Sequence, residues 1–259
     1  MMRIAVITGA SSGIGREFAR QIPRLYHSLD ELWVVARRTD RLKELVKESE
    51  VPVRIFDGDM MRDYIFSRIE KELERYGADI RMLVNAAGYG KIGAAEELEM
   101  EEQCGMIDLN CRSLTRLTLL CLPYMTKGSR IINIASAAAF APQPGFAVYA
   151  ATKSYVYSFS QAIREEAKGR GIVVTAVCPG PVDTEFFDRA GEFKNFWKTT
   201  VRADAAGVVR QALRDSVRRK PVSVYGAAMK GARVLAKIVP DAQIASAMAW
   251  MSKGSRKSG

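Results

Sequence analysis

Tyr149 and Lys153 stand four residues apart at the start of a helical stretch, and Ser136 lies thirteen residues upstream, closing the apolar run Ile131-Ile132-Asn133-Ile134-Ala135. Residues i and i+4 of a helix share a face about 6 Å apart. A lysine ammonium there lowers the cost of forming a phenolate beside it. A tyrosine so placed becomes a usable acid near neutral pH. Near the N-terminus, Thr8-Gly9-Ala10-Ser11-Ser12-Gly13-Ile14-Gly15 follows a strand-like run and opens a helical one. Glycines in that setting let the backbone turn tightly and approach a pyrophosphate, which the free N–H groups and positive dipole of a helix start attract.

These residues need a framework that brings residues 9–15 and 136–153 together. Strand-like runs are expected at about 3–8, 32–36, 51–56, 80–85, 130–135, 172–177 and 221–225, with helices beginning near residues 13, 39, 62, 101, 148 and 203. Alternating strands and helices specify an α/β fold, a doubly wound parallel sheet of about seven strands that is Rossmann-like, with a nucleotide crevice at the strands' carboxyl ends. One catalytic domain over 1–225 is expected, followed by a helical C-terminal extension, 226–259, belonging to the same domain.

The glycine segment and the Ser136, Tyr149 and Lys153 constellation resemble the short-chain dehydrogenase/reductase family, in its shorter Tyr-x-x-x-Lys branch, and the likeness runs from about residue 3 to residue 225. Each residue taken singly has an ordinary structural explanation. In this order within a βα framework, they jointly do not. The resemblance implies hydride exchange between a nicotinamide and a ketone, aldehyde or secondary alcohol. Tyr149 would be the general acid and base, Lys153 would also hold the nicotinamide ribose, and Ser136 would donate to the substrate oxygen. Asn110 would bend its helix and complete a proton relay. A dimer or tetramer of identical subunits is also implied.

For the cofactor, the resemblance assigns Gly9, Ser11, Ser12, Gly13, Ile14 and Gly15 to the pyrophosphate turn. Asp59, with Asp57 as the alternative, would meet the adenine. Asn85, Ala86 and Gly88, in Asn85-Ala86-Ala87-Gly88, would border the adenosine ribose, Ala86 standing where the family has a second Asn. Pro179, Gly180, Val182 and Thr184 would lie along the nicotinamide. The second strand ends in Arg37-Arg38, where NAD-preferring chains carry an acidic residue for the ribose 2′-hydroxyl. A guanidinium there pairs with a 2′-phosphate instead, so NADP is expected over NAD, with Arg37 the favoured contact because it directly follows the strand.

Composition narrows the field. The chain has 259 residues, 48% of them hydrophobic, enough for one sizeable core. Four cysteines form no CxxC pair and the single histidine, His27, has no ligand-type neighbour, so no metal site is expected and a Ser-His-Asp hydrolase is disfavoured. Cys104 and Cys111 are expected as buried small positions rather than a disulfide. No apolar run is long enough to cross a bilayer and strand-like residues begin at Arg3, so a cytoplasmic protein is expected.

Phe140, Phe146, Phe186, Phe187, Phe193, Phe196 and Trp197 fall near the expected pocket. They either favour a fairly bulky, apolar substrate or pack a lid onto the body. The net charge is +10, yet residues 214–259 hold ten Lys or Arg against two Asp. Within 229–240, Lys230, Arg233 and Lys237 share one helical face and Val234, Leu235 and Ile238 another; Ile244, Met248 and Trp250 follow. The favoured expectation is a helix docked on its own domain through Leu235, Ile244 and Trp250, with peripheral membrane contact as the alternative. No nucleic-acid module accompanies the charge. A nicotinamide-nucleotide-sensing or membrane-interacting protein is the rival of another class, and the presence of both Tyr149 and Lys153 weighs against it.

Overall fold

A computed structural model describes residues 1–191 and 202–254. In chain order the elements are β1 (Met2–Thr8), α1 (Gly13–Leu25), β2 (Glu31–Ala36), α2 (Thr39–Glu48), β3 (Val53–Asp57), α3 (Asp63–Tyr76) and β4 (Ala78–Asn85). Then come α4 (Met100–Ile107), a π-helical turn (Asp108–Ser113), α5 (Leu114–Cys121), β5 (Arg130–Ile134), α6 (Ala147–Lys168) and β6 (Val173–Val177). The chain continues through α7 (Phe186–Ala190), α8 (Ala205–Val217), β7 (Val222–Ser223), α9 (Ala227–Ile238) and α10 (Asp241–Gly254).

The strands form a seven-stranded sheet in the order β3-β2-β1-β4-β5-β6-β7, with every pairing parallel. The order in which strands are added reverses between β1 and β4, so two crossovers diverge there and leave a crevice at the carboxyl ends. Alternation along β1 sorts the core into two layers. Ala5 and Ile7 pack with Phe18, Ile22, Leu42, Val209 and Leu213 of α1, α2 and α8, whereas Ile4 and Val6 pack with Ile65, Ile69, Leu73, Leu117 and Ile163 of α3, α5 and α6.

Local chemistry sets the element ends that matter to the crevice. The Asp204 carboxylate accepts from the Ala206 and Gly207 N–H groups at 3.2 and 3.0 Å and caps α8. The Ser12 side chain at the N-cap of α1 makes no capping hydrogen bond among the described residues, and the first turn of α1 has no acidic residue. Its leading N–H groups are left to the crevice, the arrangement that suits an anion.

The tail differs from expectation in one respect. Met229 packs where any side chain at Gly180 would clash with its sulfur, and Arg233 Nη2 lies 3.5 Å from the Tyr157 hydroxyl, so α9 docks through these two residues. Leu235 and Trp250, expected to be covered, are 58% and 77% exposed; with Val234 and Ile238 they lie away from the domain. Cys104 is also exposed rather than buried, while Cys111, Cys121 and Cys178 are buried, and all four are free thiols. Among the described residues no helix is long and apolar enough to cross a membrane.

Candidate active site

The carboxyl ends of β1, β4, β5 and β6 open into a cleft of about 310 Å³, at the lower end of the size of small-molecule sites. Gly9, Ser11, Ser12, Gly13, Ile14 and Gly15 form one wall. Gly9 turns with φ +67°, and a Cβ on it would lie 2.8 Å from the Ala86 carbonyl oxygen and the Ala87 nitrogen. A Cβ on Gly15 would stand 2.4 Å from the Gly9 carbonyl oxygen. The missing side chains are therefore what lets this turn collapse against the start of α1. The Thr8 hydroxyl secures the facing strand end by accepting from the Ala86 and Ala87 N–H groups at 3.1 and 3.0 Å.

Ser136, Tyr149 and Lys153 stand together in the same cleft. Ser136 follows β5 directly, and its hydroxyl accepts from the Ala138 N–H at 3.1 Å. Tyr149, in the first turn of α6, is sandwiched between aromatic rings: Phe146 stacks on it at 4.2 Å between centroids and Phe186 lies at 5.5 Å. Lys153 Nζ donates to the Ile134 carbonyl at 2.8 Å and stands 5.6 Å from the Tyr149 ring centre.

The electrostatics correct one expectation. Burial pushes the Tyr149 phenol up to about 12, opposed by its hydrogen bond with Ser136, and burial pulls the Lys153 ammonium down to about 8, opposed by the nearby Cys111 and Cys178 thiols. The protein alone does not make phenolate cheap. It holds Tyr149 protonated, the form an acid needs, because burial disfavours the charged form by more than the Ser136 hydrogen bond favours it.

Asn110 sits behind the cleft rather than on its wall. It occupies the π-helical turn between α4 and α5, where the Ser113 hydroxyl meets the carbonyls of Met60 and Asp108 at 2.7 and 2.8 Å. The Asn110 amide clamps the Tyr89 backbone, accepting from its N–H at 3.1 Å and donating to its carbonyl at 2.9 Å. A Cβ on Gly88 would come 2.8 Å from Asn110 Oδ1 and 3.4 Å from Lys153 Nζ, so only a glycine lets both polar ends flank one point of the chain.

The remaining expected cofactor residues divide. Arg37, Asp59, Ala86, Gly88, Pro179, Gly180, Val182 and Thr184 all line the cleft. Asn85 does not. Its amide lies under the sheet, donating to Thr118 at 3.0 Å and Asn133 at 2.8 Å, because strand alternation turns it away from the opening. Asp59 accepts from the Met61 N–H at 3.0 Å and keeps its place at the cleft, whereas Asp57 faces Arg68 and Thr39 outside it. Arg38 is more firmly tied than Arg37: its Nε and Nη2 each lie 3.3 Å from the Ser11 hydroxyl. Among the aromatics, Phe146, Phe186 and Phe187 line the cleft, Phe140 packs on Tyr157 instead, and Phe193, Phe196 and Trp197 lie outside the described residues. Glu185, Arg189 and Gln143 line the cleft without having been anticipated, since nothing in their neighbouring sequence marks them.

The residues fit a dinucleotide: an uncapped helix start for a pyrophosphate, a glycine turn without side chains, and an acid-bearing polar cluster in the same cleft. Comparison with known proteins agrees. The profile of the short chain dehydrogenase family matches residues 3–195. The chain is 34% identical to sulfoacetaldehyde reductase 2 of Chromohalobacter salexigens over 192 residues, covering 72% of this chain and 75% of that one. A short-chain dehydrogenase from Sphingobium yanoikuyae in complex with NADPH superposes with a TM-score of 0.77 at 32% identity, covering 93% and 98% of the two chains. The bulky-bulky ketone specific alcohol dehydrogenase from Comamonas testosteroni superposes with a TM-score of 0.73 at 29% identity, covering 90% and 91%.

Proposed function

The chain belongs to the short-chain dehydrogenase family and is an oxidoreductase acting on CH–OH and C=O groups, and we propose that it prefers NADP(H) and acts on a fairly bulky, apolar ketone or aldehyde and the matching alcohol. The observation that carries the proposal is the meeting of Ser136, Tyr149 and Lys153 in one cleft with the bare start of α1, Arg37 and Arg38.

When bound, the nicotinamide supplies or accepts the hydride. Ser136 donates to the carbonyl oxygen and fixes its position. Tyr149 gives that oxygen its proton in reduction and takes one back in oxidation, a role its burial-raised pKa of about 12 suits in the reductive direction. Lys153, anchored on Ile134, supplies a cation close to the phenol, and Asn110, clamped on Tyr89, positions the polar path behind Gly88.

Support for NADP(H) comes from the two arginines at the end of β2 and from the NADPH-bound relative. Support for a bulky substrate comes from the wall of Phe146, Phe186 and Phe187, and from the relative specific for bulky-bulky ketones. A homo-oligomer is part of the same reading. Leu119 on α5 and Tyr155 on α6 are 54% and 43% exposed, and Tyr155 stacks on Phe159 and bonds Thr115, which gives these helices an ordered apolar outer face. A cytoplasmic location is part of it too.

A panel of carbonyl compounds followed by nicotinamide absorbance tests the proposal, with turnover expected on aryl and alicyclic ketones and with NADPH. Equal use of NADH would overturn the cofactor preference, and turnover confined to small polar aldehydes would overturn the substrate class.

A further inference from the structure

One carboxylate shares a guanidinium, that of Arg38, from the pair that this reading places at the cofactor phosphate. Arg38 Nη1 donates to Glu185 Oε2 at 2.6 Å while its other nitrogens lie against Ser11, and Arg41 Nη2 approaches Glu185 Oε1 at 3.7 Å. Arg189 lines the same cleft and adds its charge to theirs. Three cations, Arg38, Arg41 and Arg189, thus act on a single acid and hold its carboxyl below the usual carboxylate range, Arg38 first among them. Glu185 lies 147 positions from Arg38 in sequence, so the fold rather than local chain geometry creates the pair.

Glu185 also begins the segment that forms the substrate wall. Its neighbour Phe186 packs on Tyr149 and on Phe187, and α7 is hooked to the opposite rim by the Ile92 N–H donating to the Ala190 carbonyl at 2.8 Å. Whatever holds Glu185 therefore holds the root of α7.

We propose that Glu185 is a specificity-determining residue that competes with the cofactor's 2′-phosphate for Arg38, so that NADP(H) binding releases Glu185 and loosens α7 over the substrate end of the cleft. The proposal rests on the NADP(H) reading. A phosphate carries more charge than a carboxylate and presents several oxygens to a guanidinium fork, so it wins the shared donor. The Glu185 pair is more than two-fifths exposed on both sides and is weak enough to be exchanged. An NAD cofactor, with a 2′-hydroxyl, brings no charge to this point and leaves the Arg38–Glu185 pair in place.

The test compares adenosine 2′,5′-bisphosphate with adenosine 5′-monophosphate by calorimetry on the full chain and on Glu185→Gln. If the unmodified protein does not prefer the bisphosphate, the NADP(H) reading fails, whatever the variant does. If it does prefer it, Glu185→Gln is expected to bind the bisphosphate about 5-fold more tightly, through the loss of one repelling charge, and the monophosphate within about 2-fold of the parent. Unchanged or weaker bisphosphate binding by a folded variant overturns the competition. Amide hydrogen exchange gives the second readout. Residues 186–190 are expected to exchange faster with the bisphosphate but not with the monophosphate, and to be already fast in Glu185→Gln. Slower or unaltered exchange on adding the bisphosphate overturns the coupling to α7.

Discussion

The Lys153 ammonium donates to the Ile134 carbonyl at 2.8 Å, which ties the cation on α6 to the strand whose next residues lead to Ser136. One bond therefore fixes the spacing between the helix that carries Tyr149 and the strand end that carries Ser136. It also keeps a charge inside the protein, where burial lowers its pKa from 10.5 to about 8.

That depression has a cost with a definite sign. The unfolded chain holds a proton on Lys153 that the folded chain holds less tightly, so folding is penalised most below about pH 8, and the penalty fades as pH rises toward 10.5. Lys153→Met is expected to raise stability at pH 7 by about 1–3 kcal/mol, the lost bond to Ile134 offsetting part of the gain. The gain should shrink toward pH 10.5. Urea midpoints at several pH values check this, and a variant less stable than the parent at pH 7 would contradict it.

Tyr149→Phe removes one hydroxyl and keeps the ring that stacks on Phe146 at 4.2 Å. Turnover should fall by about 100-fold or more. Cofactor binding, measured by fluorescence titration, should stay within about 2-fold, because the change touches no charged group. A variant retaining a tenth of parental turnover would remove Tyr149 from its assigned role.

On the proposed mechanism reduction needs Tyr149 and Lys153 both protonated, and Lys153 titrates first, at about 8 against about 12. The kcat/KM for carbonyl reduction is expected to be level below pH 7.5 and to fall about 10-fold per pH unit above 8.5. A profile level to pH 10 would show that the ammonium plays no part.

The sheet was legible in the sequence because its strands are short apolar runs set between amphipathic helices, and all seven appear within two residues of the expected starts. The meeting of Ser136, Tyr149 and Lys153 in one cleft was legible for a related reason: Tyr149 and Lys153 are one helical turn apart, and Ser136 is at a strand end. What escaped depends on contacts distant in sequence. Asn85 turns away from the cleft because the β4–β5 register sets it opposite Asn133. Glu185 enters the cleft through Arg38, far upstream. Arg37 was favoured by adjacency to the strand, yet the side chain held against Ser11 is that of Arg38.

The cofactor preference should accordingly follow Arg38 more than Arg37. Arg38→Asp is expected to raise the KM for NADPH at least about 10-fold more than that for NADH, since it replaces a charge-assisted contact with a repulsion. Arg37→Asp should have the smaller effect. The reverse ranking would return the 2′-phosphate contact to Arg37.

The two faces of α9 predict opposite results. Met229 lies against Gly180 at the cleft and Arg233 meets Tyr157, so ending the chain after Gly226 uncovers the loop that flanks the site. Met229 is partly buried, so losing its contact is worth about 1–2 kcal/mol, which for a chain of this length lowers Tm by about 2–8 °C, and the KM for NADPH should rise with it. Val234, Leu235 and Ile238 are more than half exposed, so Leu235→Ser with Ile238→Ser should leave Tm and KM unchanged. If this outer face instead rests on anionic lipid, the parent should sediment with anionic vesicles in low salt and the double variant should not, since both the apolar face and the flanking Lys230 and Lys237 are needed. A double variant that loses as much Tm as the truncated chain would mean that the outer face is covered by a second copy, and its sedimenting mass would then fall as well.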